Sequence, residues 1–389
     1  MGAIPRTGGL PVLQKKVRDF IEKEVIPHEK EPLAHATQRQ DALYRKLQEK
    51  ARQAGIYLPQ MPKALGGLGL NWRDTAVILE EAGRSLLGPR ALNAAAPDEG
   101  NLHTLNHLCN ADQRKRYLLP LAAGKVRSCF AMTEPAPGAG SDPSALKTKA
   151  QKKRGKWIIN GKKWFITGAQ GAAFCLVLAQ TPSGATLFLV DTDHSGFRIK
   201  RVIGSMDSFM PGGHCEVDFV NCAVSDAAVL GEAGKGFEYA QLRLGPARLT
   251  HCMRWLGAAV RATQIATAYA GERVSFGKTL SEHQGVQFMI ADSHIELHAC
   301  RLLIQDAAQK LDAGVPIRHE SSMVKVFVSE AVNRALDRAV QILGALGVSE
   351  DTPVSHIYRD IRAFRIYDGA SEVHRHALAR RIFHQCLRP

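Results

Sequence analysis

Lys156-Trp157-Ile158-Ile159-Asn160-Gly161-Lys162-Lys163-Trp164-Phe165-Ile166-Thr167 is the stretch on which the fold turns. Two runs of aromatic and β-branched residues flank Asn160-Gly161, a dipeptide that accepts the positive φ of a two-residue hairpin turn. The segment therefore predicts a hairpin of two strands. Further strand-like runs surround it at Cys129–Thr133, Phe174–Ala179, Thr186–Val190 and Cys215–Val220. No helical pattern separates them, which predicts an antiparallel β-domain and argues against a parallel doubly wound sheet.

Helical patterns lie on both sides of this region. Upstream, residues from about 10 to 124 read as helical. Val12, Val17, Phe20, Ile21 and Val25 precede Pro27, Leu43, Leu47 and Ala51–Ala54 run to Gly55, and two more stretches cover Arg73–Leu87 and Ala111–Ala123. Downstream of about Gly236 the segments are longer. Leu249, Met253, Leu256 and Val260 form one seam, Val286, Ile290, Leu297, Ile304 and Leu311 another, and Ser321–Leu346 carries Val332, Leu336 and Leu343. Pro246 must start or kink its helix, because it has no N–H to donate. A short helix follows Pro353, and a last one lies past Gly369. The expected fold class is α+β: an N-terminal all-helical domain (1–126), a middle β-domain (127–235) and a C-terminal four-helix bundle (236–389).

Composition narrows the class without deciding it. At 389 residues and 45% apolar content, the chain exceeds one ordinary core. No apolar run approaches the roughly 20 residues of a membrane-spanning helix. Met1–Val12 shows no secretory signal pattern, so a cytoplasmic location is expected. The eight cysteines form no C-x-x-C pair, which gives no support to zinc ribbons or thioredoxin-like motifs. The net charge is +14, and seven arginines fall between Arg359 and Arg388. Such a surplus could meet nucleic acid, anionic lipid or phosphorylated small molecules, or could be a solvated surface.

Several chemistries are excluded on spacing. The run from Gly271 to Thr279 has five residues between its glycines where a Walker A loop has four, and it follows a helical pattern instead of a strand. No strand–GxGxxG–helix unit is present for a nicotinamide. His103/His107 and His294/His298 have helical metal-ligand spacing but lack a third ligand at a telling distance, so no metal is expected. There is no G-x-S-x-G elbow.

One ordered set of segments remains. Ala131-Met132-Thr133-Glu134-Pro135 and Gly138-Ala139-Gly140-Ser141-Asp142 precede the Ile159–Thr167 segment. Arg273-Val274-Ser275-Phe276-Gly277-Lys278, His283-Gln284, Gln341-Ile342-Leu343-Gly344 and Ile366-Tyr367-Asp368-Gly369-Ala370-Ser371-Glu372-Val373 follow. Together they resemble the acyl-CoA dehydrogenase family from end to end. The resemblance implies FAD as cofactor, with Met132, Thr133, Phe165 and Thr167 lining the flavin ring and Ser141 near both cofactor and acyl-CoA. It also implies that Arg273, Phe276, His283, Gln284, Gln341 and Gly344 hold the FAD phosphates and adenosine, partly across a subunit interface. Arg273 suits that task, since a guanidinium binds phosphate bidentately. Ala345 stands where the family usually has a second glycine.

By the same resemblance, Asp368 takes the place of the family's common glutamate base, with a reach one methylene shorter. A carboxylate there would remove the α-proton of the thioester while the flavin takes the β-hydride. Asp368-Gly369 is by itself also an ordinary turn dipeptide. The alternative base position of some members, just before an arginine of the bundle's first helix, is Ala247 here, ahead of Arg248, and Arg248 would support substrate. Ala96–Asn101, Gly212-Gly213-His214, Arg243–Pro246, His251–Arg254 and Glu372-Val373-His374 resemble family members ten and eleven in particular. The expected partners are an acyl-CoA, a second copy or three more of this chain, and an electron-transferring flavoprotein. Two alternatives stay open: an acyl-CoA oxidase using oxygen, and a DNA-associated flavoprotein of the same superfamily, for which the +14 charge speaks.

Overall fold

The computed structural model describes residues 9–30, 37–207 and 210–387. Met1–Gly8 of the N-terminal segment and Arg388 of the arginine-rich tail lie outside the described residues. Leu10–Phe20 (α1) continues through a π turn at Ile21–Val25 and a 3-10 turn at Ile26–Lys30, burying Val17, Phe20, Ile21 and Val25. Thr37–Gln53 (α2) buries Leu43, Leu47 and Ala51 and stops before Gly55, whose φ is 64°. Trp72–Ala82 (α3) is capped by the Asn71 side chain, which accepts from the Asp74 N–H at 2.7 Å. Gly88–Ala91 (α4), Asp98–Leu108 (α5), Ala111–Gln113 (α6) and Leu119–Ala122 (α7) complete this region.

Helix α3 ends at Gly83, short of the Leu87 expected. At that end it crosses Gly236–Glu272 (α8) backbone to backbone. A Cβ on Gly83 would lie 2.0 Å from the Arg254 carbonyl oxygen, and one on Gly257 would lie 1.9 Å from that of Glu80. Neither oxygen belongs to a side chain that can swing away. Gly257→Ala should therefore destabilise the chain by about 1–3 kcal/mol or more through overpacking. A clear fall in the unfolding temperature is expected, and an unchanged one would contradict the crossing.

The seven-stranded sheet comprises Ser128–Ala131 (β1), Lys149–Lys153 (β2), Lys156–Thr167 (β3), Phe174–Thr181 (β4), Gly184–Asp191 (β5), Phe197–Ile203 (β6) and His214–Val224 (β7). Its order is β1-β4-β2-β3-β7-β6, with β5 on β4. Two expectations are corrected. The sheet is mixed, because β1 and β2 both pair with β4 in parallel across the intervening β3 excursion. The Asn160-Gly161 hairpin does not form, and β3 runs straight through it. The two-residue turn is instead Arg154-Gly155, with φ of 50° and 76°, joining Lys153 to Lys156. Asn160 uses its side chain to accept from the Asn221 N–H at 2.7 Å. A Cβ on Gly161 would meet Thr148 Oγ1 at 2.3 Å, so glycine serves a close strand approach there.

The C-terminal region packs α8 with Gln284–Asp312 (α9) and Arg318–Leu343 (α10). Val274–Ser275 (β8) and Lys278–Thr279 (β9) form a small hairpin between α8 and α9. Ala345–Val348 (α11), Val354–Arg362 (α12) and Ser371–Leu387 (α13) follow. Pro246 sits inside α8, not at its start. Helix α10 stops at Gly344, whose φ of 61° and ψ of −129° suit glycine, instead of reaching Leu346. No helix among the described residues is long and apolar enough to cross a membrane.

Candidate active site

The segment between α12 and α13 turns sharply at Asp368 (φ 55°) and Gly369 (φ 99°). Left-handed backbone at an aspartate persists only where its surroundings hold it. Here they do. The Asp368 carbonyl oxygen accepts from Arg248 Nε at 2.8 Å and from His374 Nε2 at 3.1 Å, and His374 Nδ1 lies 3.1 Å from Ser322 Oγ. A Cβ on Gly369 would stand 2.6 Å from His374 Nε2, so the dipeptide needs its glycine. The Asp-Gly turn is present, and it points its carboxylate inward.

Asp368 Oδ2 lies 3.4 Å from His251 Nε2. His251 Nδ1 is 3.4 Å from the Tyr367 hydroxyl, which accepts from Trp255 Nε1 at 2.5 Å. Burial pushes the Asp368 carboxyl up, but His251, Arg243, Arg248 and Lys325 pull it down further, leaving it below the usual carboxylate range. Burial, with Arg254 alongside, pushes His251 down to about 3. The imidazole is therefore neutral at neutral pH, and the cations on α8 and α10 carry the attraction. Behind them, buried Arg243 donates to Asn101 Oδ1 at 2.8 Å, and Thr250 donates to the buried Glu99 at 3.1 Å.

A second group gathers where β1 meets β3. Met132 and Thr133 follow β1, and the Trp164 N–H donates to the Thr133 carbonyl at 3.1 Å. Trp164 and Phe165 together face one residue of β7, because the register shifts between Lys163 and Ile166. This bulge leaves Phe165 at φ 51° with its side chain 47% exposed. Thr167 Oγ1 lies 2.9 Å from His214 Nδ1, and His214 Nε2 lies 2.6 Å from Asp207. Ser141 is exposed on the neighbouring loop.

Under this group lies an ion pair. Lys163, 0% exposed, donates to Glu134 Oε1 at 3.0 Å and to the Met132 carbonyl at 2.8 Å. Glu134 also accepts from the N–H groups of Ala139, Lys147 and Thr148. Burial alone would push Glu134 up, but Lys163 and these donors hold it down to about 2 from an ordinary 4.5. A carboxyl held low adds stability above its ordinary value and loses it on acidification. Stability should decline as pH falls from 4.5 to about 2. Thermal unfolding of Glu134→Gln over that range should show a flatter decline, and a parallel one would contradict the pairing.

The third group stands apart. Arg273 closes α8, and Phe276, at the tip of the β8–β9 hairpin, is 96% exposed. His283 Nε2 lies 3.1 Å from the Ser275 carbonyl oxygen, with Gln284 exposed beside it. Gln341 and Gly344 are exposed at the end of α10, and nothing within 4 Å would meet a Cβ on Gly344. No hydrogen bond, ion pair or ring contact among the described residues links this group to Met132, Thr133 or Asp368. The structure thus joins Arg248 to Asp368 and Thr133 to the Phe165 bulge, and leaves the Arg273 group on the surface of this one chain.

Sequence reasoning gave no role to His251, Lys325, His374 or Trp255. A signal existed. At 3.6 residues per turn, Arg243, Arg248, His251 and Arg254 fall on one side of α8, a polar stripe beside the apolar seam of Leu249, Met253 and Leu256.

Three family models match: Acyl-CoA dehydrogenase, N-terminal domain, over residues 11–125, the middle domain over 129–222, and the C-terminal domain over 234–383. The Mycobacterium tuberculosis protein FadE2 is 40% identical over 326 residues, covering 80% of this chain and 79% of that protein. A solved structure of the same family from Mycobacterium abscessus superposes with a TM-score of 0.90 at 33% identity, covering 97% of this chain and 99% of that one. This chain belongs to the acyl-CoA dehydrogenase family. Acyl-CoA dehydrogenase family member 11 of Homo sapiens is 36% identical over 387 residues, covering 94% of this chain and 49% of that protein. The chain spans about half the length of that relative.

Proposed function

We propose that the chain oxidises the Cα–Cβ bond of an acyl-CoA thioester to the trans-2-enoyl-CoA, with Asp368 as the α-proton base. The observation that carries this reading is the Asp368 carboxylate itself. Its side chain is 19% exposed, its cationic neighbours hold it below the usual carboxylate range, and Arg248 and His374 fix it through its own carbonyl. Its Oδ2 faces His251, which leaves Oδ1 for the α-proton. A bound thioester would cover the part of the carboxylate still exposed, and its low proton affinity in the free protein would rise as that solvent is removed.

The residues present fit FAD. The Trp164-Phe165 bulge is tied to Thr133 through the Trp164 N–H, which places Phe165 and the Met132-Thr133 stretch side by side for a ring edge. Arg273 makes no ion pair among the described residues, and its guanidinium suits a phosphate. A bound FAD would supply the hydride acceptor for the β-carbon. Exposed Phe288, Ile295 and Leu302 recur every seven residues along α9, which favours a homodimer or homotetramer that would close the Arg273 group. An electron-transferring flavoprotein is the acceptor this reading implies. Domain limits at 126/127 and 235/236 belong to it as well.

Arg273→Gln should lower the flavin retained after gel filtration by about tenfold, the effect of losing one charge-assisted phosphate contact. Full retention would remove Arg273 from the cofactor site. The activity is tested by incubating the protein with saturated acyl-CoA thioesters and an electron-accepting dye. A product lighter by two hydrogens, with its double bond at C2, is expected. Unchanged thioester across all chain classes would overturn the reading.

A further inference from the structure

Lys325 is fully buried on α10, yet it has no carboxylate within ion-pair distance among the described residues. A buried ammonium of this kind is costly unless its donors are used. Its donors go to two backbone carbonyls: Phe364 at 2.6 Å and Gly369 at 3.2 Å. These carbonyls bracket the segment that carries Asp368, so one ammonium ties the segment's two ends together. Nζ also lies 4.7 Å from the centre of the Phe364 ring and 5.9 Å from that of Tyr367. One turn earlier on the same helix, Ser322 holds His374, which in turn holds the Asp368 carbonyl. Helix α10 thus grips the base segment twice, from beneath, while Arg248 grips it from α8.

We propose that Lys325 is a positioning residue for the base, fixing the left-handed turn at Asp368 through the Phe364 and Gly369 carbonyls. The inference rests on Asp368 being the base. Deleting the ammonium would free the segment between Phe364 and Gly369 and withdraw a positive charge from the carboxylate. The other groups that set that charge stay in place: Arg243, Arg248, His251 and Arg254 on α8, Tyr367 beside Asp368, His374 on α13 and Glu99 on α5. Those facing Lys325 itself are Arg248, His251 and Cys252 on α8, Asp368, His374 on α13, and Glu330 on its own helix.

The test is Lys325→Met in the flavin-loaded protein, with Asp368→Asn run alongside. Two readouts separate positioning from plain structure. The limiting rate of flavin reduction should fall about 10- to 100-fold, as a misplaced group loses alignment, while the apparent thioester affinity stays within about twofold. The acid limb of the rate against pH should also move up by about one unit, because a cation beside the carboxylate is gone. If Lys325→Met keeps the native rate and acid limb while Asp368→Asn is inactive, the lysine's role fails alone. If Asp368→Asn is itself fully active, the base assignment fails and takes this inference with it. Where Lys325→Met does not fold, Lys325→Gln carries the same comparison, since it keeps a donor without the charge. Failure of both to fold would overturn the positioning role in favour of a purely structural lysine.

Discussion

Asp368→Asn should reduce the rate of flavin reduction by acyl-CoA about 10²–10⁴-fold, the range that a placed general base contributes. The substitution is chosen for what it preserves. Asparagine tolerates left-handed backbone, so the φ of 55° at this position is kept without new strain. The bonds from Arg248 and His374 go to the backbone carbonyl and survive the change. Shape is retained too, so thioester binding and flavin content should stay close to native. What is lost is the carboxylate proposed to take the proton, and Ala247 occupies the alternative position on α8. A variant that keeps native reduction rates would require another base. Glu99 is the buried carboxylate nearest in the same polar cluster, but burial pushes its proton affinity up and Thr250 and Arg254 already engage it.

The second large effect concerns stability. Lys163→Ala should cost about 3–5 kcal/mol, because it strands the buried Glu134 carboxylate. The figure is far above that of a surface pair such as Lys152–Asp226, where exposed partners are worth about 0–1 kcal/mol. The loss should also reach the cofactor. Lys163 holds the Met132 carbonyl, and Glu134 gathers the loop through Ala139, Lys147 and Thr148, so the two define the shape of the edge at Thr133. Denaturant unfolding and flavin retention should fall together. Lys163→Met combined with Glu134→Gln should recover part of the stability, because no charge is then left unpaired. A single variant as stable as the native chain would show that the pair is solvated and that the edge is held otherwise.

Much of the fold was legible because it depends on local periodicity. The seam Leu249, Met253 and Leu256 is buried as expected on α8, and so are Leu297 and Ile304 on α9. The hairpin at Asn160-Gly161 misled for a physical reason. Two strong strand runs joined by a turn-capable dipeptide also describe one long bulged strand, and only the approach of Thr148 decides between them. The true turn, Arg154-Gly155, was hidden because β2 (Lys149–Lys153) is largely polar and exposed and does not read as a strand. The mixed pairing of β1 with β4 is a non-local choice that no window contains. In the site, Asp368 and Arg248 came from motif resemblance, and the structure adds the reason that they belong together. His251 was passed over although it lies in the polar stripe of α8, and Lys325 was missed because a single polar residue within an apolar helical seam reads as a surface position. Lys325 sits between Val324 and Val328, both buried, and that placement was the available clue.

The central claim, that a thioester's α-proton and β-hydride leave together in this site, is tested most directly by an anaerobic visible-absorption titration of the FAD-loaded protein with saturated acyl-CoA thioesters. The oxidised-flavin band should bleach stoichiometrically with one chain class. A flavin that stays oxidised with every class tested, in protein that retains its FAD, would contradict it.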